Sequence, residues 1–417
     1  MKKLFFAAAA LAAMTMVSCN KEDNSNVPEM PQAQKVQVAL QFSKSAPMTR
    51  AAGDEKDTEA ERTVNHIDVF FFRQDANRTL DAYYGFDAAA FTQEGEDGAF
   101  TVGLDKSMWV SDVTLDVYAI ANAPAAITSA ITSVATMKAQ ISQFTANTAS
   151  NFIMIGRLAG QNIAGLNADA EGVKHITGPL ELERMVNKIL FKQIKKDFVS
   201  PAYQNATVTL EGAFVINAPK QAKYAEVYTA AGARTVDAVP AAEAASYYHA
   251  GLAAANTTWE NNPFLGKADI NQVVTATGTA LNTSAAPAGF PFYFYPNPAL
   301  ESTDIKAEDY VTKLTLKVKV ETADESHVYW YPIAFNQAKY VGTSPNGNYV
   351  GAPMDQTRNL IYVIDNITLK KAGNNFEDDD PNKYIDNSVV DVKITVLDWV
   401  TGEILGSYNN RGWGELN

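Results

Sequence analysis

The sequence predicts an all-β chain made of two β-sandwich domains in tandem, with a few short helices. Three observations carry this. Apolar and polar residues alternate with a period of two through many short runs, the pattern of strands with one buried face. Gly, Pro, Asn, Asp and Ser punctuate those runs at short intervals, as in sandwiches rather than α/β folds. Only one stretch before residue 150 repeats its apolar residues at helical spacing.

The 417 residues suffice for two or three domains, and 47% hydrophobic composition can supply a core. The first 50 residues carry six Lys/Arg and three Asp/Glu. The remainder carries 28 basic and 44 acidic residues, a net charge of −16. Such a surface repels phosphate backbones, so nucleic acid is excluded as a partner.

Residues 1–19 read as a leader. Lys2 and Lys3 precede an apolar stretch from Leu4 to Met16, and the small Ser18 stands before Cys19. The stretch is too short to cross a bilayer comfortably. Met16-Val17-Ser18-Cys19 has the form of a bacterial lipobox, with Met16 where leucine is commonest. Cys19 is therefore the expected acylated N-terminus. It is the single cysteine, so the domains after it have no disulfide, thiolate metal site or catalytic thiol. The polar, proline-containing residues 20–34 read as a tether.

Val36, Val38, Leu40 and Phe42 alternate with Gln37, Ala39, Gln41 and Ser43, giving a strand with one apolar face. Ser45 to Arg50 reads as a loop, and Ala51 to Arg62 has five acidic residues and no large apolar one. A strand joined to its domain through a polar, cuttable loop can be removed by a cut between Arg50 and Ala51. The same pattern fits an ordinary first strand followed by a loose loop. Arg62 is a competing cut site, but a cut there trims into the next strand.

Residues 51–200 are expected to form the first domain. Val64 to Phe72 is β-prone, with Val64, Ile67, Val69 and Phe71 inward. Tyr83 to Phe91, Ala99 to Leu104, Val113 to Asn122 and Phe152 to Gly156 are further strands. Ile127 to Phe144 is the helical stretch, marginal alone because of its Ser and Thr content. Leu180 to Ile194 fits two strands or a bulged one. Lys195 to Asn205 carries lysines and Pro201 and marks the boundary.

The second domain is expected over 201–400. Its strands are Ala206 to Asn217, Phe290 to Pro298, Lys313 to Thr322, Val328 to Ala334, Leu360 to Leu369 and Val389 to Trp399. The alanine-rich span from Pro219 to Thr283 reads as an excursion with short helices, Ala241 to Ala255 foremost. Residues 401–417 form a tail containing Ile404, Leu405, Tyr408, Trp413 and Leu416. It is too short to fold alone and too apolar to stand free in water. Either it docks on its own domain or it enters a groove of another molecule.

Nothing in the chain has the spacing of a catalytic or cofactor motif, so no enzyme activity and no cofactor is expected. The four histidines are scattered. Glu377 to Asp380 lacks the spaced ligands and glycine of a calcium loop and reads as a solvated acidic loop. The aromatic run Phe292 to Tyr295 fits a half-buried strand better than a sugar platform.

The order of these features resembles the fimbrillins of Bacteroidales, the stalk subunits of type V pili. Val117 to Pro124 is similar to that family's strand ending in asparagine. Phe152 to Gly156 resembles its Met-x-Gly strand, and Leu182 to Phe191 its Arg-centred strand, with Asn187 and Lys188 in place of the usual Ala-Arg. Phe292 to Pro298 and Arg358 to Gly373 resemble its C-terminal strands, and Asp398 to Val400 its tryptophan-ended closing strand. Asn20 to Asp23 resembles the export signal of surface lipoproteins in Bacteroidetes. The resemblance implies transthyretin-like sandwiches and a lipoprotein precursor at the outer membrane. It also implies an arginine-specific protease that cuts after Arg50. Val36 to Phe42 would leave, and the tail of an identical or related pilin subunit would fill the vacated groove head to tail, building an extracellular adhesive fimbrium. The other function carried by the same scaffold is a tip adhesin or monomeric surface lipoprotein that binds a glycan or host protein.

Overall fold

The computed structural model describes residues 36–43, 58, 60–94, 99–106, 114–163, 165–167, 170, 173–176, 180–224, 247–248, 262, 264–281, 289–296, 312–334, 358–375, 385, 389–399, 404–409 and 412–413. Cys19, Arg50, Ala51, Leu416 and the acidic loop at 377–380 lie outside them.

Four sheets form the body. The first contains β1 (Val36–Ser43), β4 (Thr92–Glu94), β5 (Ala99–Lys106), β9 (Val173–His175) and β10 (Leu180–Glu181) in the order β10-β1-β5-β4, with β9 also on β1. The second contains β2 (His66–Arg73), β3 (Leu80–Asp87), β6 (Thr114–Ala121), β8 (Met154–Asn162) and β11 (Glu183–Arg184) in the order β11-β8-β6-β2-β3. Its central strands are covered on both faces: Phe70 and Phe72 are as buried as Ile67, Val69 and Phe71. That second apolar face is what the uninterrupted Val-Phe-Phe-Phe run encodes.

The third sheet contains β12 (Asn187–Phe191), β13 (Gln193–Lys196), β20 (Thr279–Ala280), β21 (Phe290–Phe294), β24 (Leu360–Leu369), β26 (Val390–Asp398), β27 (Ile404–Asn409) and β28 (Gly412–Trp413). The fourth contains β14 (Thr207–Ile216), β18 (Gly266–Lys267), β19 (Gln272–Val273), β22 (Lys313–Glu321), β23 (Ser326–Ala334) and β25 (Asn374–Asn375). The β22–β23 hairpin pairs Glu321 with Ser326. Its turn is closed by Thr322, whose amide donates to the Glu325 carbonyl at 2.8 Å and whose hydroxyl accepts from the Glu325 amide at 3.1 Å. A two-stranded ribbon joins β7 (Ile141–Gln143) to β16 (Gln221–Lys223), and another joins β15 (Ala218–Pro219) to β17 (Tyr247–Tyr248).

The structure redraws two expectations. The sheet changes between Arg184 and Asn187, so residues 187–196 pair within the second domain, short of the expected boundary at 200. Strand β12 runs parallel to β24 and antiparallel to β21, and Asn187 Oδ1 accepts the Leu360 amide at 2.9 Å. The loop-like composition of 195–205 marks only the turn through α3 (Pro201–Gln204) into β14. The helical stretch 127–144 is broken into α1 (Ala125–Thr128) and α2 (Val134–Ala139), followed by β7 and a 3-10 turn at Phe144–Ala146. A capping box between Ser133 and Thr136 restarts the helix, and Ser and Thr compete with the backbone elsewhere. The expected helix at 241–255 lies outside the described residues, except that Tyr247–Tyr248 is extended. The aromatic run Phe292 to Tyr295 is buried throughout and belongs to the core.

Candidate functional site

Strand β1 is interior to its sheet. On one side Val36 to Phe42 lie antiparallel to Lys106 to Phe100 of β5. On the other side Gln37 to Ala39 run parallel to Val173 to His175, and Phe42 and Ser43 run parallel to Leu180 and Glu181. The second wall is thus two short strands, and β1 is the piece that joins them to β5. Taking β1 away leaves two facing rows of backbone N–H and C=O groups, a template that accepts another strand. Among the described residues β1 is followed at once by Thr58, so its link to the domain is the segment 44–57.

The wall strand β10 is positioned by Gly156. A Cβ on residue 156 would lie 2.0 Å from Leu180 Cδ2 and 2.3 Å from the Glu181 carbonyl oxygen. The Met-x-Gly pattern in β8 therefore exists to let β10 cross closely over it. Gly156→Ala is expected to displace β10 and lower stability by about 1–3 kcal/mol through overpacking. Denaturant midpoints of the two precursors check this.

Beyond β1 the described chain resumes at Thr58. Its backbone amide donates to Glu61 Oε2 at 2.7 Å, and the Glu61 amide donates to Thr58 Oγ1 at 3.3 Å, a reciprocal cap on the 3-10 turn Ala60–Arg62. Asn122 fixes the chain between that turn and β2. It adopts φ 61°, a left-handed conformation asparagine tolerates. Its Oδ1 accepts the Asn65 amide at 2.8 Å, and its Nδ2 donates to the carbonyls of Thr63 at 2.8 Å and Phe152 at 2.9 Å. This explains why the strand Val-Tyr-Ala-Ile-Ala ends in asparagine.

Glu61 then reaches into the junction between the two domains. Its carboxylate pairs with Lys188 Nζ at 2.8 Å and accepts the Tyr293 hydroxyl, with all three side chains buried. Its main-chain oxygen accepts Arg184 Nε at 3.0 Å. The Arg184 guanidinium lies 4.5 Å over the Trp399 ring, and Trp399 stacks on Tyr293 with centroids 6.2 Å apart. Phe152 of the first domain packs against both rings. Sequence reasoning missed Glu61, Lys188 and Arg184 as a unit. The available signal was the set of polar residues Arg184, Asn187 and Lys188 set into an otherwise apolar run.

Burial pushes the Glu61 carboxyl up, but the Lys188 charge and the hydrogen bonds from Lys188, Tyr293 and the Thr58 amide outweigh it, so the net shift is downward from 4.5. A depressed folded-state value means stability that is present above about pH 4.5 and lost as pH falls through the folded-state value. Trp399 fluorescence should therefore report an acid loosening of the junction below about pH 4.5 that Glu61→Gln lacks.

The tail is placed on its own domain in this state. Ile404 to Asn409 pair antiparallel with Leu397 to Lys393 of β26, with a register shift between Val396 and Leu397 that skips Leu405. Tyr408 and Asn409 turn back on Trp413 and Gly412. The resulting hairpin is the outer margin of the third sheet: β27 has one long neighbour, β26, and one two-residue neighbour, β28. Among the described residues no group of three or more His, Cys, Asp or Glu is placed to hold a metal.

Residues 35–184 match the family of the major fimbrial subunit protein, FimA. Over these residues the chain is similar to the fimbrillins. The match opens at β1 and closes at Arg184, so it spans the interior strand, both walls around it and the junction residues Glu61, Phe152 and Arg184. Among solved structures, the fimbrilin FimA of Porphyromonas gingivalis shares the fold at a TM-score of 0.51 and 14% identity, covering 88% of this chain and 98% of that one. Two proteins of Parabacteroides distasonis that carry the provisional name of cell adhesion proteins are also similar. One has a TM-score of 0.57 at 15% identity over 89% of this chain and 98% of its own; the other has 0.53 at 18% over 88% and 99%. No curated protein sequence matches the chain. The match sets the first domain beside that of a major fimbrial subunit.

Proposed function

We propose that this chain is a structural stalk subunit that polymerises by protease-triggered strand exchange. The observation that carries this is the position of β1, an interior strand walled by β5 on one side and by β9 and β10 on the other. The precursor is held at the outer membrane by the acylated Cys19. An arginine-specific protease cuts between Arg50 and Ala51, and Val36, Val38, Leu40 and Phe42 leave with the rest of β1. The slot then takes the tail of the next subunit, with Ile404, Leu405, Tyr408, Trp413 and Leu416 as the donor residues.

The position of β27 near the margin of its sheet supports the donor role. It has one long neighbour, β26, and only the two-residue β28 beyond it; in the slot it gains a long wall on each side, with main-chain hydrogen bonds along both. A groove at one end and a tail at the other give a heterologous contact that does not close, and hence a filament. No catalytic step is asked of the chain. The test is the N-terminal residue of the protein recovered from surface filaments. Ala51 is the expected result, and an acylated Cys19 throughout the filament would contradict it and favour a monomeric lipoprotein or a tip adhesin.

A further inference from the structure

Two arginines stand between β1 and β2 on the sequence, Arg50 and Arg62, and both offer an arginine-specific protease a cleavable bond. A protease reads its substrate as an extended strand, pairing its own backbone with the residues on either side of the cut. The bond Arg62–Thr63 is held in a different shape. Residues 60–62 form a 3-10 turn, and the Thr63 amide donates to the Ala60 carbonyl at 3.2 Å. The carbonyl before the bond's own, that of Glu61, accepts Arg184 Nε, and the one after it, that of Thr63, accepts Asn122 Nδ2. The Glu61 side chain anchors the turn from within, on Lys188 and Tyr293.

We propose that Glu61, acting through Lys188 and Tyr293, is a positioning residue that withholds Arg62 from the processing protease and so restricts maturation to Arg50. The inference rests on the processing step given above. Extending residues 60–64 into a protease requires Glu61 to leave its pocket, which strands the Lys188 ammonium without its carboxylate in a buried site. Added to the cut at Arg50, a cut at Arg62 would release Ala51 to Arg62 as a peptide, and Glu61 with it. The cut that the lock withholds is therefore the one that would dismantle the joint between the domains. Local opening governs cleavage of folded segments, so the Arg62 bond should be cut at least ~100-fold more slowly than the Arg50 bond.

The full-length precursor is digested with an arginine-specific protease, and two products are followed by mass spectrometry: the large fragment beginning at Ala51, and the free peptide Ala51–Arg62, whose release needs both cuts. The fragment should accumulate long before the peptide. Glu61→Ala should close most of that gap. Because the single change leaves Lys188 buried and unpaired, the double variant Glu61→Ala with Lys188→Met separates a lost lock from general unfolding. It should melt close to the unaltered protein and still release the peptide quickly. Equal rates of fragment and peptide in the unaltered protein would overturn the proposal, as would a folded double variant that releases the peptide no faster than the unaltered protein. Filament ladders are scored in the same digests. Cutting confined to Arg50 without ladders defeats the assembly account and leaves the processing rule standing; ladders with prompt cutting at both arginines do the reverse.

Discussion

Arg50→Ala is expected to keep the precursor monomeric through arginine-specific digestion, with no ladders formed. The reason lies in what the cut changes. Before it, β1 is tied to its slot by the segment 44–57 and competes with any incoming tail at the high effective concentration of a short tether, on the order of millimolar. After the cut, β1 is a separate short piece at the concentration of the protein itself, and its loss is no longer reversed by its own chain. A free tail can then win. With Arg50 absent, the nearest remaining arginine is Arg62, which the Glu61 anchor holds in a folded turn. Arg50→Lys separates sequence specificity from loop access: it should be resistant to an arginine-specific enzyme and cut by one that accepts lysine.

Deleting Gly402 to Asn417 should give the complementary defect, a subunit that is processed normally and cannot extend a filament. The deletion removes β27 and β28 from the margin of the third sheet and leaves the strand order from β20 to β26 in place. It does not touch the slot in the first domain, which still accepts a tail. Mixed in small amounts with the intact protein, the truncated subunit should therefore act as a terminator. Ladder length should fall as its fraction rises, whereas a merely misfolded subunit would leave the ladders of the intact protein unchanged. If the truncated subunit alone forms full ladders, the donor is elsewhere.

The strands are legible in the sequence because at least one face of each is largely apolar. The period of two in Leu314 to Val320 and the full run Leu360 to Leu369 mark β22 and β24 almost to the residue. The single helix expected at 127–144 does not form because spacing alone cannot reveal a capping box, and Ser133 with Thr136 divides the run. The domain boundary differs from expectation because composition reports turns, and strand pairing decides membership: β12 is committed to the second domain by β24 and β21, far away in sequence. The apolar face of β1 is legible, but its two-sided pairing is not, since β9 and β10 lie more than a hundred residues downstream. The junction is the least legible feature. Glu61 sits in a run of acidic residues that reads as solvated, and only the fold brings Lys188, Tyr293 and Arg184 to it.

The central claim is that β1 leaves its slot and a neighbour's tail replaces it. Hydrogen exchange at the amides of Ala99 to Lys106 tests this most directly, because those residues line the slot along its whole length. In the precursor they should be protected. In the cut subunit with its tail deleted they should exchange quickly, and in the intact cut subunit they should regain protection only as filaments form. Protection that persists in the cut, tail-less monomer after residues 36–43 have been removed would contradict the account.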